Sequence, residues 1–169
     1  MKKLKLVLGF LIVLGFSAQF TPVEAAGPNF KQGNFFLGPS VGLGFGFGFG
    51  SGLSLPLGLN AEYAVTKDIG VGAYVGFVGF GILGASYSLI PIQVTGMYHF
   101  DIPDNPKLDV ALGLALGYTL SSGPFFSGYN WFAWGVFINA RYFLSNKVAL
   151  KGRLGWGISA LEIGVDFKL

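Results

Sequence analysis

Leu53-Ser54-Leu55-Pro56-Leu57-Gly58-Leu59-Asn60-Ala61-Glu62-Tyr63-Ala64-Val65 is apolar at every second position, with small or polar residues between. Side chains alternate across a strand, so this stretch puts an oily row on one face and a small, polar row on the other. A soluble sheet can hide one such row in a core. Here the pattern recurs along the chain, as where Gly42, Gly44, Gly46, Gly48 and Gly50 alternate with Leu43, Phe45, Phe47 and Phe49. Charged residues make up 11% of the chain and aromatics 17%, whereas a soluble domain carries about 25% charged residues. The oily rows are expected to face lipid.

The first residues read as an export signal. A basic start (Lys2, Lys3, Lys5) precedes an uncharged run from Leu6 to Phe16, and Val23-Glu24-Ala25 places small residues where a signal peptidase cuts. That run is well short of the roughly 20 residues a membrane-spanning helix needs. The expected division is therefore a cleaved signal peptide over 1–25 and one domain over 26–169. Removing Lys2, Lys3, Lys5 and Glu24 from 11 basic and 8 acidic residues leaves a nearly neutral domain. Such a charge offers no electrostatic footprint for nucleic acid. With no cysteine, thiolate chemistry, disulfides and cysteine metal sites are excluded.

Two uncharged runs, 69–98 and 110–140, invite a helical reading, but period two sets no coherent helical face. Each interior glycine also costs a helix about 1 kcal/mol relative to alanine. The period instead predicts eight strands, at 34–48, 53–65, 69–77, 86–100, 107–120, 129–143, 148–155 and 159–169. Thr66-Lys67-Asp68, Asp101 to Pro106 and Ser145-Asn146-Lys147 are turn signals. Gly48 to Gly52 and Ser121 to Gly128 read as connections on the other side, as does the unusually apolar stretch 78–85. Pro39 predicts a bulge or strand end within the first strand. Backbone groups left unpaired in lipid are costly, so the sheet must close. The predicted fold is all-β: a closed, eight-stranded, antiparallel, up-and-down transmembrane barrel with both termini on the periplasmic side. Tyr63, Tyr98, Phe100, Tyr142 and Phe167 would form the inner aromatic girdle. Phe45, Phe47, Phe77, Tyr118 and Trp134 would form the outer one.

Asn60-Ala61-Glu62-Tyr63-Ala64-Val65-Thr66, Tyr98-His99-Phe100, Ala140-Arg141-Tyr142-Phe143 and the closing strand together carry a resemblance. The chain resembles the small outer-membrane β-barrel proteins of the outer-membrane-protein-A and -X type, often described as porin-family barrels, over essentially all of 26–169. In the last strand, Glu162, Gly164, Phe167 and Leu169 match the signal that such families present to the barrel-assembly machinery, with Leu169 where phenylalanine is usual. The resemblance implies a Gram-negative cell outer membrane and contact with outer-membrane lipids. It implies export through the secretion translocon and insertion by the assembly machinery, but no single activity.

The inward rows place Glu62, Asp109, Glu162 and Asp166 against Arg141, Lys151, Arg153 and Lys168, which points to an internal salt-bridge network. Eight strands enclose an interior just wide enough for side chains to fill it. A structural network is therefore favoured over an ion path or gate. The many inward glycines leave room in the lumen, and Tyr74, Met97, Trp131 and Phe137 are expected to fill it. The single histidine, His99, falls near the periplasmic end without a serine partner, so an interior hydrogen-bonded role is expected rather than acid–base catalysis. No cofactor or metal is expected. Phe125, Phe126, Tyr129 and Trp131 form an aromatic cluster at an outer loop, read as girdle before ligand-binding tip. The sequence thus predicts a non-enzymatic envelope protein with a structural or surface-interaction role, the alternative being a narrow porin-like channel for small solutes or ions.

Overall fold

The computed structural model describes residues 30–45, 55–82, 84–124, 130–157 and 159–169. These form β1 (Phe35–Phe45), β2 (Leu57–Ala64), β3 (Ile69–Ile82), β4 (Ala85–Phe100), β5 (Leu108–Ser122), β6 (Trp131–Phe143), β7 (Val148–Trp156) and β8 (Ser159–Lys168). Each strand pairs antiparallel with its neighbour in sequence, and β8 pairs back to β1. The all-β, closed, eight-stranded expectation is met. The stretches 1–25 and 48–52 lie outside the described residues, as do Phe47, Phe125, Phe126 and Tyr129.

Closure is staggered. Pairings lead from Phe35 through Tyr63, Val71, Gly96, Leu114 and Val136 to Trp156. Across the β7–β8 connection stands Ser159, which pairs with Phe45, further along β1 than the start. Such a stagger means that the strands tilt around the barrel axis. β1 holds one register with β8 on both sides of Pro39, from Leu37↔Phe167 to Ser40↔Gly164. No bulge forms there, contrary to the sequence expectation. Pro39 lies on the outward row and pairs with Leu59 on the other side.

Turn chemistry fixes the end of the barrel where β1 begins and β8 ends, called here the near end. Thr66 Oγ1 accepts from the backbone N–H of Ile69 at 2.9 Å, and Ser145 Oγ accepts from that of Val148 at 3.1 Å. Both are side-chain-closed turns of the kind Ser and Thr favour. At the far end, the apolar stretch 78–85 is not a loop. Residues 78–82 continue β3, Gly84 turns with φ +80°, and β4 begins at Ala85. Ser121 and Ser122 likewise prolong β5.

The oily rows do face outward. Val94, Leu112, Leu114, Leu116, Ile138, Leu154 and Ile163 are all exposed, as are the girdle residues Tyr63, Tyr98, Phe100, Tyr142, Phe77, Tyr118 and Trp134. Phe132 and Trp156 join this belt, and Tyr118 meets Phe132 edge to face at 6.0 Å. An exterior this apolar on every strand suits hydrocarbon. Val148, expected outward, is instead buried where β7 leaves its turn.

Candidate functional site: the ionic interior of the barrel

Arg141, on β6, is 1% exposed and is the hub of the interior. It is brought there by the same alternation that turns Tyr142 and Ala140 outward. Its Nε donates to Asp166 Oδ2 at 2.6 Å, its Nη1 to Asp109 Oδ2 at 3.1 Å, and its Nη2 to Glu62 Oε2. Asp109 is its direct cross-strand partner, whereas Glu62 and Asp166 reach it from β2 and β8. The guanidinium also lies over the Phe36 ring, 4.5 Å from its centre.

His99 stands between the remaining carboxylate oxygens, with Nδ1 2.7 Å from Asp109 Oδ1 and Nε2 2.8 Å from Glu62 Oε1. Ionised carboxylates only accept, so a histidine that satisfies both must donate from both ring nitrogens, as the imidazolium does. Lys151 donates to Asp166 Oδ1 at 2.9 Å and to Asn60 Oδ1. The cluster thereby sets three acids (Glu62, Asp109, Asp166) against three cations (Arg141, Lys151, His99). Charge balance and dense hydrogen bonding let a buried network persist.

Two further features seal it. Phe30 stacks on His99 with ring centres 3.5 Å apart, and joins Phe36, Ala64, Phe143 and Ala149 in one apolar cluster at the near end. Beyond the hub, a second pair forms between Arg153 and Glu162, direct cross-strand partners 3.6 Å apart. Glu162 accepts from Tyr74 Oη at 2.9 Å, and Arg153 lies over the Phe137 ring at 4.2 Å.

Seven of the eight lumen charges read from sequence are thus brought together in two groups. Lys168 is the exception, because it sits beyond Asp166 toward the near end. It is half-buried, its ammonium rests 5.7 Å from the centre of the Phe143 ring, and it makes no ion pair among the described residues. His99, Asn60 and Phe30 were not foreseen as members of the network. His99 was visible as an inward residue on its strand, while Phe30 precedes the first strand and gives no period to read.

The room offered by inward glycines is taken. A Cβ at Gly113 would collide with the Phe137 ring, one at Gly58 or Gly76 with Tyr74, and one at Gly70 with Glu62. Tyr74, Met97 and Phe137 are buried as expected. Trp131 is half-buried and opens β6, where it lines a small cavity with Pro56, Val78 and Leu89 rather than lying in the outer belt. In the closing strand, Glu162 is buried in the lumen, Gly164 packs on the Pro39 carbonyl and Ser40, and Phe167 and Leu169 belong to the outward row.

No family model and no curated protein matches this chain. Solved structures do. The crystal structure of Neisserial surface protein A aligns with a TM-score of 0.64 at 14% identity, covering 82% of this chain and 97% of that one. The outer membrane protein OprG from Pseudomonas aeruginosa gives 0.59 at 12% identity, over 85% and 98%. The fold is that of the small bacterial outer-membrane barrels. A de novo designed transmembrane β-barrel aligns equally well, at 0.60 and 19% identity over 82% and 98%. A fold shared by natural and designed barrels does not by itself fix an activity.

Proposed function

We propose that this protein is a non-enzymatic, integral outer-membrane barrel, a closed element of the cell envelope with a structural or surface-interaction role. The observation that carries this reading is the hub at Arg141, each of whose three guanidinium nitrogens is engaged by a different carboxylate inside the near half of the lumen. Both ring nitrogens of His99 are held by carboxylates and its face is covered by Phe30, so no nitrogen is free to take a proton from a nucleophile. On this reading the chain is exported on the 1–25 signal and delivered by the secretion translocon. It is inserted by the barrel-assembly machinery through Glu162, Gly164, Phe167 and Leu169, with lipids as its standing partners.

Single-channel recording of the refolded 26–169 domain in a planar bilayer tests the proposal. The expected result is a silent bilayer, with folding verified by the heat-modifiable shift of the barrel on a gel. Steady openings from the folded wild-type protein, altered in Glu62→Ala or Arg141→Ala, would instead make the lumen charges a permeation path and the protein a narrow channel.

A further inference from the structure

The two halves of the lumen are satisfied to different degrees. Around Arg141 the charged groups are engaged, whereas further from the near end several buried polar atoms have no partner among the described residues. These are both amide atoms of Gln93, both of Asn139, Nε of Arg153 and Oγ of Ser159. All four residues are more than nine-tenths buried. An orphaned buried polar group is costly, so a persistent one calls for a partner.

Three of the four meet at one place. Gln93 on β4, Arg153 on β7 and Ser159 on β8 line a single cavity of about 10 Å³, together with Ala115, Gly135 and Phe137. We propose that this cavity is the seat of one buried water molecule that bridges Gln93, Arg153 and Ser159. Size, charge and chemistry each select water. A volume of this order admits about one water-sized probe and nothing larger. Arg153 is already balanced by Glu162, so no ion is called for. The orphan set comprises a guanidinium N–H that donates, an amide that both donates and accepts, and a hydroxyl that does either. That inventory matches a molecule with two donors and two acceptors. Asn139 differs, because it is paired in register with Arg153 but does not line the cavity.

Two measurements on the refolded domain test this site independently of whether the barrel conducts. In nuclear magnetic resonance spectra of the wild-type protein, the Gln93 side-chain amide is expected to cross-relax with a long-lived bound water. In urea titrations, Gln93→Met should lower the unfolding midpoint, because it removes the amide and strands the water's other partners. Asn139→Leu should raise it, because it removes orphan atoms that lie outside this cavity. A Gln93 amide with no water cross-peak, or a Gln93→Met midpoint that rises as Asn139→Leu does, would overturn the proposal. So would a wild-type midpoint that tracks chloride concentration at constant ionic strength, which would place an anion at Arg153 instead.

Discussion

At the scale of single residues, the interior is governed by what an unpaired charge costs. Arg141 neutralises Glu62, Asp109 and Asp166 at once, and no other cation among the described residues contacts all three. Arg141→Met keeps most of the side-chain volume and leaves these acids facing one another. Breaking a buried pair in this way costs about 3–5 kcal/mol. The variant is expected to unfold at a much lower urea concentration than the wild type, followed by tryptophan fluorescence in detergent micelles. A midpoint within error of the wild type would mean that water, not Arg141, screens the three carboxylates. Glu62, Asp109, Asp166, Arg141 and Lys151 were legible in the sequence as inward charges on strands of known parity. Their pairing was only partly so. Arg141 with Asp109 and Arg153 with Glu162 are direct cross-strand neighbours, but Glu62 meets Arg141 only because the barrel closes with its particular stagger.

Among the strands, approach distance is set by glycine. β5 comes so close to β4 at Gly117 that a Cβ there would collide with the Ile92 carbonyl and the Gln93 Cα. On β4 itself, Gly96 faces outward with nothing near the position of a Cβ. Gly117→Ala is therefore expected to destabilise by about 1–3 kcal/mol through overpacking. Gly96→Ala should be neutral or should stabilise by about 0.4–1 kcal/mol through the unfolded chain. Paired urea titrations of the two variants check this, and equal effects would sever the link between glycine and strand approach. Strand parity was readable because period two survives along most of the chain. It failed at 78–82, where Val78 and Phe80 turn inward while Gly79 and Gly81 take the outward row. That reverses the glycine-inward rule used elsewhere, so the end of β3 looked like a loop.

For the whole molecule, charge is distributed with a sharp polarity. The sequences that join β1 to β2 (46–56), β3 to β4 (83–84), β5 to β6 (123–130) and β7 to β8 (157–158) contain no Lys, Arg, His, Asp or Glu. The near end displays Lys31, Lys67, Asp68, Asp101, Asp104, Lys107 and Lys147, and the remaining described charges belong to the lumen rows. Moving a charged turn through hydrocarbon is expensive, whereas an uncharged Gly-, Ser- and Phe-rich connection crosses at lower cost. A barrel inserting into a preformed bilayer should therefore push its far end across and leave its near end on the side of addition. After folding of the 26–169 domain into preformed neutral phosphatidylcholine vesicles, a membrane-impermeant amine reagent should label Lys67 and Lys147 in nearly all molecules. Comparable labelled and protected populations would show that turn charge does not set direction. The orientation would then have to come from an external assembly factor. If labelling is one-sided, the direction of insertion is written into the chain by where its charges are missing, and an assembly machine need only lower the barrier.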